Sequence, residues 1–201
     1  YQFPTEGEYT RFYVSYVEGM ENFKPGSNPY FDKRLSNQHK WIDLNFVYKN
    51  HFPLTRNFTL GLGVEGFYSN RDLFTNYFST LLNTSAYNPV PHSRAMFLSK
   101  YRGNFYVGTG ITPIYKFNPK FHIRLKLHHF LPYRAIVSNN DREAEYKGPL
   151  TTNHFMGGAS LVYHTIFGPA SLNINYYEKE SKNWYFLFNF GFILFNETGL
   201  K

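Results

Sequence analysis

Apolar and polar residues alternate with a period of two along most of the chain. That period predicts β-strands with one apolar and one polar face. Eight such segments are expected, at about 8–18, 39–50, 57–67, 104–116, 120–131, 154–166, 169–178 and 183–195. The fifth is the cleanest: Phe121, Ile123, Leu125 and Leu127 alternate with His122, Arg124, Lys126 and His128. In the eighth, Trp184, Phe186, Phe188, Phe190 and Phe192 alternate with Tyr185, Asn189 and Gly191.

The connections between segments alternate in length. Long ones fall at about 19–38, 68–103 and 132–153, and tight ones at 51–56, Asn118-Pro119 and Gly168-Pro169. The last connection, 179–182, is short and departs from the rule. Long loops on one side and tight turns on the other are the layout of an outer-membrane β-barrel. The expected fold is therefore all-β, an antiparallel transmembrane β-barrel of eight strands, with 1–201 as one domain. Strands of about 9–11 residues cross a bilayer when tilted. A closed sheet is required because lipid leaves an open edge unsatisfied.

Composition bears on which environment each face meets. The chain has 22 Phe and 18 Tyr among 201 residues, yet its mean hydropathy is −0.45. A lipid face of aromatics opposite a lumen of Gly, Asn, Ser and charge reconciles the two. A sandwich core would carry more Val, Ile and Ala. Tyr9, Trp41, Tyr48, Phe67, Tyr68, Tyr115, Tyr163, Tyr176, Tyr177, Trp184 and Tyr185 lie near segment ends, as interfacial girdles would. Asp43, Glu65, Arg124 and Lys126 fall on the polar faces and are expected to pair inside the lumen. The net charge of +7 comes from scattered residues without a run of five Lys/Arg, so nucleic acid is not an expected partner. There is no cysteine, and no apolar run reaches the length of a membrane helix. The opening Tyr1-Gln2-Phe3-Pro4 has no signal-peptide character and reads as a mature form or a fragment.

Catalytic signatures are sparse. Gly-x-Ser-x-Gly, phosphate-loop and dinucleotide motifs are missing from the sequence. The eight histidines form no His-Glu-x-x-His pair. No catalytic, cofactor or metal site is expected, and the chain is not expected to be an enzyme. The one lipid-enzyme possibility is a loop set of His92, Ser93 and Asp72.

Phe3-Pro4-Thr5-Glu6-Gly7 resembles the P-T-x-G strand opening of the bacterial surface antigen superfamily, the outer-membrane barrels of the BamA/TamA type. Gly168-Pro169-Ala170-Ser171-Leu172 and the aromatic strand ending in Gly191 resemble that superfamily's last two strands. The resemblance implies a sixteen-stranded barrel in the bacterial outer membrane, of which these segments are the C-terminal half. It also implies that the longest connection is the loop that folds back into the lumen. Arg102 would then be its lumenal lock and Gly103 its tight turn, an ordinary loop arginine being the alternative. Ala86–Ser93 with Phe97, Gly110–Tyr115 and Phe130–Pro132 resemble more narrowly the barrel of patatin-like phospholipases, whose hydrolase residues are not in this sequence.

These likenesses imply a barrel that anchors and displays or translocates an attached domain, or assists outer-membrane protein assembly through a seam at the last strand. A self-closed eight-stranded barrel and a soluble β-sandwich binding module are the alternatives. Expected partners are outer-membrane lipid, the remaining barrel half or a second copy, and the outer-membrane assembly machinery. Trp184, Phe186, Phe188, Phe190 and Phe192 would form a C-terminal insertion signal.

Overall fold

In the computed structural model, residues 3–23, 35–178 and 183–191 are described. All eight predicted segments are strands of one sheet. In chain order these are β1 (Gly7–Phe23), β2 (Leu35–Pro53), β3 (Phe58–Ser69), β4 (Phe105–Asn118), β5 (Phe121–Pro132), β8 (His154–Thr165), β9 (Gly168–Tyr177) and β10 (Trp184–Phe190). Every neighbouring pair is antiparallel, in the order β1-β2-β3-β4-β5-β8-β9-β10. β1 and β10 are edges and do not pair with each other among the described residues, so the sheet is not closed.

Short turns lie at one end. β4 and β5 are joined by two residues, with Asn118 Oδ1 accepting from the Lys120 amide at 2.9 Å. Gly168 starts β9 at φ 121°, a conformation costly for any other residue. The opposite end carries the long connections, and two of these hold structure the alternation does not predict. The connection 70–104 contains helices α1 (Tyr77–Asn83) and α2 (Pro91–Arg94) and a 3-10 turn (Ser99–Tyr101). Asn76 caps α1 by accepting from the Ser79 amide, and Pro91 opens α2. The connection 132–153 contains a separate hairpin, β6 (Arg134–Ser138) with β7 (Ala144–Pro149). Asn76 bridges to Glu143, which ties α1 to that hairpin.

The two faces of the sheet are inverted relative to a water-soluble sheet. On β5, Leu125 and Leu127 are 52% and 55% exposed, whereas His122 and Arg124 are 2% and 5% exposed. On β9, Ser171, Asn173 and Asn175 are buried while Leu172 and Ile174 are exposed. A continuous apolar rung runs Phe58–Tyr115–Ile123–Leu161–Leu172–Phe188 across six paired strands, with Phe58 and Ile123 half-buried and the other four exposed. No second sheet covers this face among the described residues, as a sandwich would require.

The sheet curls around its polar side. His51 on β2 meets Arg124 on β5 at 3.4 Å, although two strands lie between them. Phe3, ahead of β1, lines the same cavity as Asn189 of β10. Four of the expected girdle aromatics turn inward instead, one of them Tyr185, which packs half-buried against the interior cluster. Trp41, Phe67 and Tyr177 sit on the polar-face parity and are buried. Phe67 stacks on Tyr106 at 5.6 Å, and Tyr177 bonds His92 from the connection above.

Candidate functional site

The polar face encloses an interior, and the 70–104 connection fills its loop-side half. Tyr87 is the deepest wedge. Its ring stacks on Phe130 of β5 at 5.8 Å, and its hydroxyl donates to the Thr109 carbonyl at 3.0 Å. It lies so close to Gly108 that a Cβ there would stand 2.2 Å from the ring. Gly110 makes similar room for the His128 ring. These inward glycines are what let aromatic rings lie flat on the strands. Burial raises the Tyr87 phenol above its ordinary value, and the nearby Glu65 charge adds to this.

Tyr101 is fully buried and donates its hydroxyl to the Phe155 and Glu178 carbonyls. His92 Nδ1 and the Tyr177 hydroxyl share a hydrogen bond at 2.9 Å, and the His92 ring lies 5.0 Å from Tyr185. Desolvation lowers the His92 pKa. With Val90, Leu98, Tyr106 and Met156, these aromatics make an apolar plug inside an otherwise polar enclosure.

Two arginines brace the plug. Arg71 is buried and donates to the Asn83 carbonyl, to Thr84 Oγ1 at 3.0 Å and to Asn104 Oδ1 at 3.0 Å. Its guanidinium also covers Trp41 at 5.2 Å. Burial lowers the Arg71 pKa, with the Asp43 charge opposing. Arg102 donates to the Leu81 and Thr84 carbonyls at 2.9 and 2.8 Å, satisfying the C-terminal end of α1. It packs over Phe97 at 4.6 Å. Arg102 thus ties the connection to itself. Gly103 has no left-handed φ, and its amide donates to the Ser85 carbonyl.

The four inward charges lie on the polar face, but neutral groups partner them. Glu65 accepts from the Tyr106 hydroxyl at 2.9 Å, and Asp43 from Trp41 Nε1 at 3.3 Å. Lys126 donates to Ser160 Oγ at 2.8 Å, which donates to Asn173 Oδ1 at 2.6 Å. Arg124 hydrogen-bonds His51 Nε2 at 3.4 Å and lies over the Phe3 ring. Among the described residues neither Arg124 nor Lys126 meets a carboxylate. The loop set of His92, Ser93 and Asp72 is not assembled. His92 turns to Tyr177, Ser93 donates to the Val90 carbonyl at 2.8 Å, and Asp72 bonds neither. Trp184, Phe186, Phe188 and Phe190 form an exposed stripe on β10, while Phe192 lies outside the described residues.

Among the described residues no group of three His, Asp or Glu side chains is arranged to hold a metal ion. A cavity of about 20 Å³ remains beside Phe3, His92, Lys126, Asn173 and Asn175. That is room for a water molecule. Sequence reasoning missed Arg71, Tyr87, Tyr101 and Phe3 as interior residues. The alternating Gly108 and Gly110 were the signal that something bulky approaches β4.

No family model matches the chain, and no curated protein or solved structure matches it either.

Proposed function

We propose that these eight strands are the C-terminal half of a sixteen-stranded outer-membrane β-barrel whose plugged lumen leaves it working as the membrane anchor of an attached domain. One observation carries this reading: from β2 to β9 the polar face of the sheet is the more buried and the apolar face the more exposed. In water such a face is an aggregation surface. In hydrocarbon, each Leu or Phe it presents gains about 1.5–3 kcal/mol relative to water.

The aromatic distribution fits the same environment. On the loop side, Tyr68, Phe105 and Tyr133 are in ring contact at 5.6 and 5.2 Å. On the turn side, Tyr115, Phe117 and Phe121 are in contact at 5.1 Å each. Phe105 and Tyr115 are ten residues apart on β4, roughly 34 Å along an antiparallel strand. A tilt of about 40° reduces that to roughly 26 Å, close to the ~25 Å apolar band of such barrels. The plug favours anchoring over passage, because Tyr87 and Tyr101 occupy the path a passenger would take.

The absence of cysteine gives a clean test. Single cysteines placed at Leu150 (loop side) and Phe167 (turn side), both exposed, report sidedness. In intact cells a membrane-impermeant maleimide should label the Leu150→Cys protein and spare the Phe167→Cys protein until the membrane is opened. Recovery of the protein in the soluble fraction, or equal labelling of both sites in intact cells, would refute the proposal.

A further inference from the structure

The turn-side half of the interior is built differently from the plug. Arg124 is 5% exposed, and its Nε and Nη1 have no hydrogen-bond partner. Its remaining nitrogen, Nη2, is spent on His51, an uncharged contact. His122, two residues before it on the same face of β5, is 2% exposed with Nε2 unpartnered. Thr59 Oγ1 is buried and unpartnered too, on the rung Thr59–Ile114–Arg124. Lys126, the next inward residue of β5, uses one of its three N–H donors on Ser160. No carboxylate meets either cation among the described residues.

A buried guanidinium without an anion is expensive, and so is each orphaned donor. The buried donors come from β3 and β5, and the neighbouring cavity, lined by Phe3 and Lys126 with the amides of Asn173, Asn175 and Asn189, does not reach Arg124 or His122. Phe3 packs against the cluster, its ring 5.8 Å from the Arg124 guanidinium and 6.5 Å from the His122 ring, and the His164 ring lies 5.4 Å from that of His122. With Phe3 in place the cavity has room for one water, so an oxyanion enters only as Phe3, on the segment before β1 rather than in the sheet, turns aside without breaking a ladder.

We propose that Arg124, His122 and Lys126 form a buried binding site for a phosphate group, closed by Phe3. A tetrahedral oxyanion suits donors that arrive from several directions, where a planar carboxylate suits a single fork. The site depends on the fold and not on the sheet crossing a membrane, so its test is independent of the labelling experiment above.

The test uses the whole chain, kept monodisperse in detergent or plain buffer and freed of phosphate. Inorganic phosphate, glycerol phosphate, vesicles of phosphatidic acid and chloride at matched ionic strength are compared by thermal unfolding. Phosphate at about 30 times its dissociation constant should raise the midpoint by roughly 4–8 °C for a chain of this size. Arg124→Met should keep or raise the midpoint without ligand, since it removes an uncompensated buried charge. It should also lose the phosphate response, and Lys126→Met should weaken that response at least tenfold in concentration. A response to inorganic and glycerol phosphate identifies a soluble ligand, and a response to the phosphatidic acid vesicles alone identifies a lipid headgroup. Either supports the site if Arg124→Met abolishes it. An equal rise with chloride, no rise with any phosphate source, or an undiminished rise in Arg124→Met overturns it.

Discussion

Substituting Gly108 by alanine tests whether Tyr87 sits where the interior packing puts it. The backbone at Gly108 is not left-handed, so alanine is conformationally allowed. In isolation the change should stabilise a strand by about 0.5–1 kcal/mol, the entropy that glycine forfeits. The new methyl, however, would stand 2.2 Å from Tyr87 Cε2 and 2.5 Å from Cζ. That ring cannot simply swing away. Phe130 backs it at 5.8 Å, Tyr106 meets its edge at 6.1 Å, and its hydroxyl is tied to the Thr109 carbonyl. Overpacking of this kind costs about 1–3 kcal/mol, and loss of the hydroxyl bond adds about 1 kcal/mol. Gly108→Ala alone should therefore destabilise by about 1–3.5 kcal/mol after the entropic gain is deducted. Tyr87→Ala alone should cost about 3–5 kcal/mol, as for other buried aromatics.

The decisive quantity is the double variant. With Tyr87 already truncated, the alanine methyl enters the vacated space, and Gly108→Ala should be neutral or stabilising by up to about 1 kcal/mol. The coupling between the sites should then be about 2–4 kcal/mol, the clash plus the lost hydroxyl bond, at the upper end for residues in direct contact. Urea unfolding in phospholipid vesicles measures all four proteins. The chain has two tryptophans, one inside and one on the outer face: Trp41 beneath Arg71 and Trp184 on β10. Equal costs for Gly108→Ala with and without Tyr87 would falsify the seating of the plug on β4.

Other expectations are simpler. Leu127→Arg places a charge near the middle of the exposed face of β5, where a bilayer would exact about 2–4 kcal/mol; unchanged assembly and stability would mean that this face meets water. Replacing Phe186, Phe188 and Phe190 by serine should abolish membrane assembly, read as loss from the membrane fraction, because these side chains are 75%, 67% and 60% exposed. His92 has a lowered folded pKa, so its neutral form is favoured by folding. Its stability contribution is complete above the unfolded value near 6.5 and is lost as pH falls from there through the folded value. Tyr177 and Tyr185 pack against it, and Lys126 shares its cavity. Wild type should lose stability between pH 7 and 5 faster than His92→Gln, measured by urea midpoint; parallel slopes would exclude His92.

The alternation of the chain carried the strands and their faces because a slip of one residue would reverse every side chain. Leu125 and Arg124 could only go to opposite sides. The period does not say what packs against the inner side. Tyr87 and Gly108 are far apart in sequence, and nothing in the residues between them signals that they touch. α1 is seven residues long and capped by Asn76, too short for helical periodicity to appear. β6 reads Arg-Ala-Ile-Val-Ser, an apolar run without alternation. The arginines show the same limit. Arg102 was conspicuous beside Gly103, but the more deeply buried anchor is Arg71, whose partners Asn83, Thr84 and Asn104 come together only in the fold.

The two edges bear on how the barrel of the proposed function would close. β1 runs 17 residues and β10 runs 7 among those described. The seven described residues of β10 could meet at most seven of β1, and on an edge strand every second residue turns its N–H and C=O to the free side. Each such group left unpaired in hydrocarbon costs several kcal/mol. β2 answers β1 along its whole length, from Gly7↔His51 to Phe23↔Leu35, so the long edge is built to the measure of a long neighbour. A strand of comparable length on the free side of β1 satisfies it, and β10 cannot supply one from its described residues. Additional strands, from the rest of a larger barrel or from a second copy, are the closure that the proposed function requires. Cross-linking between cysteines introduced on β1 and β10 of one chain should accordingly fail, while the same pair should join separate chains or a supplied N-terminal half.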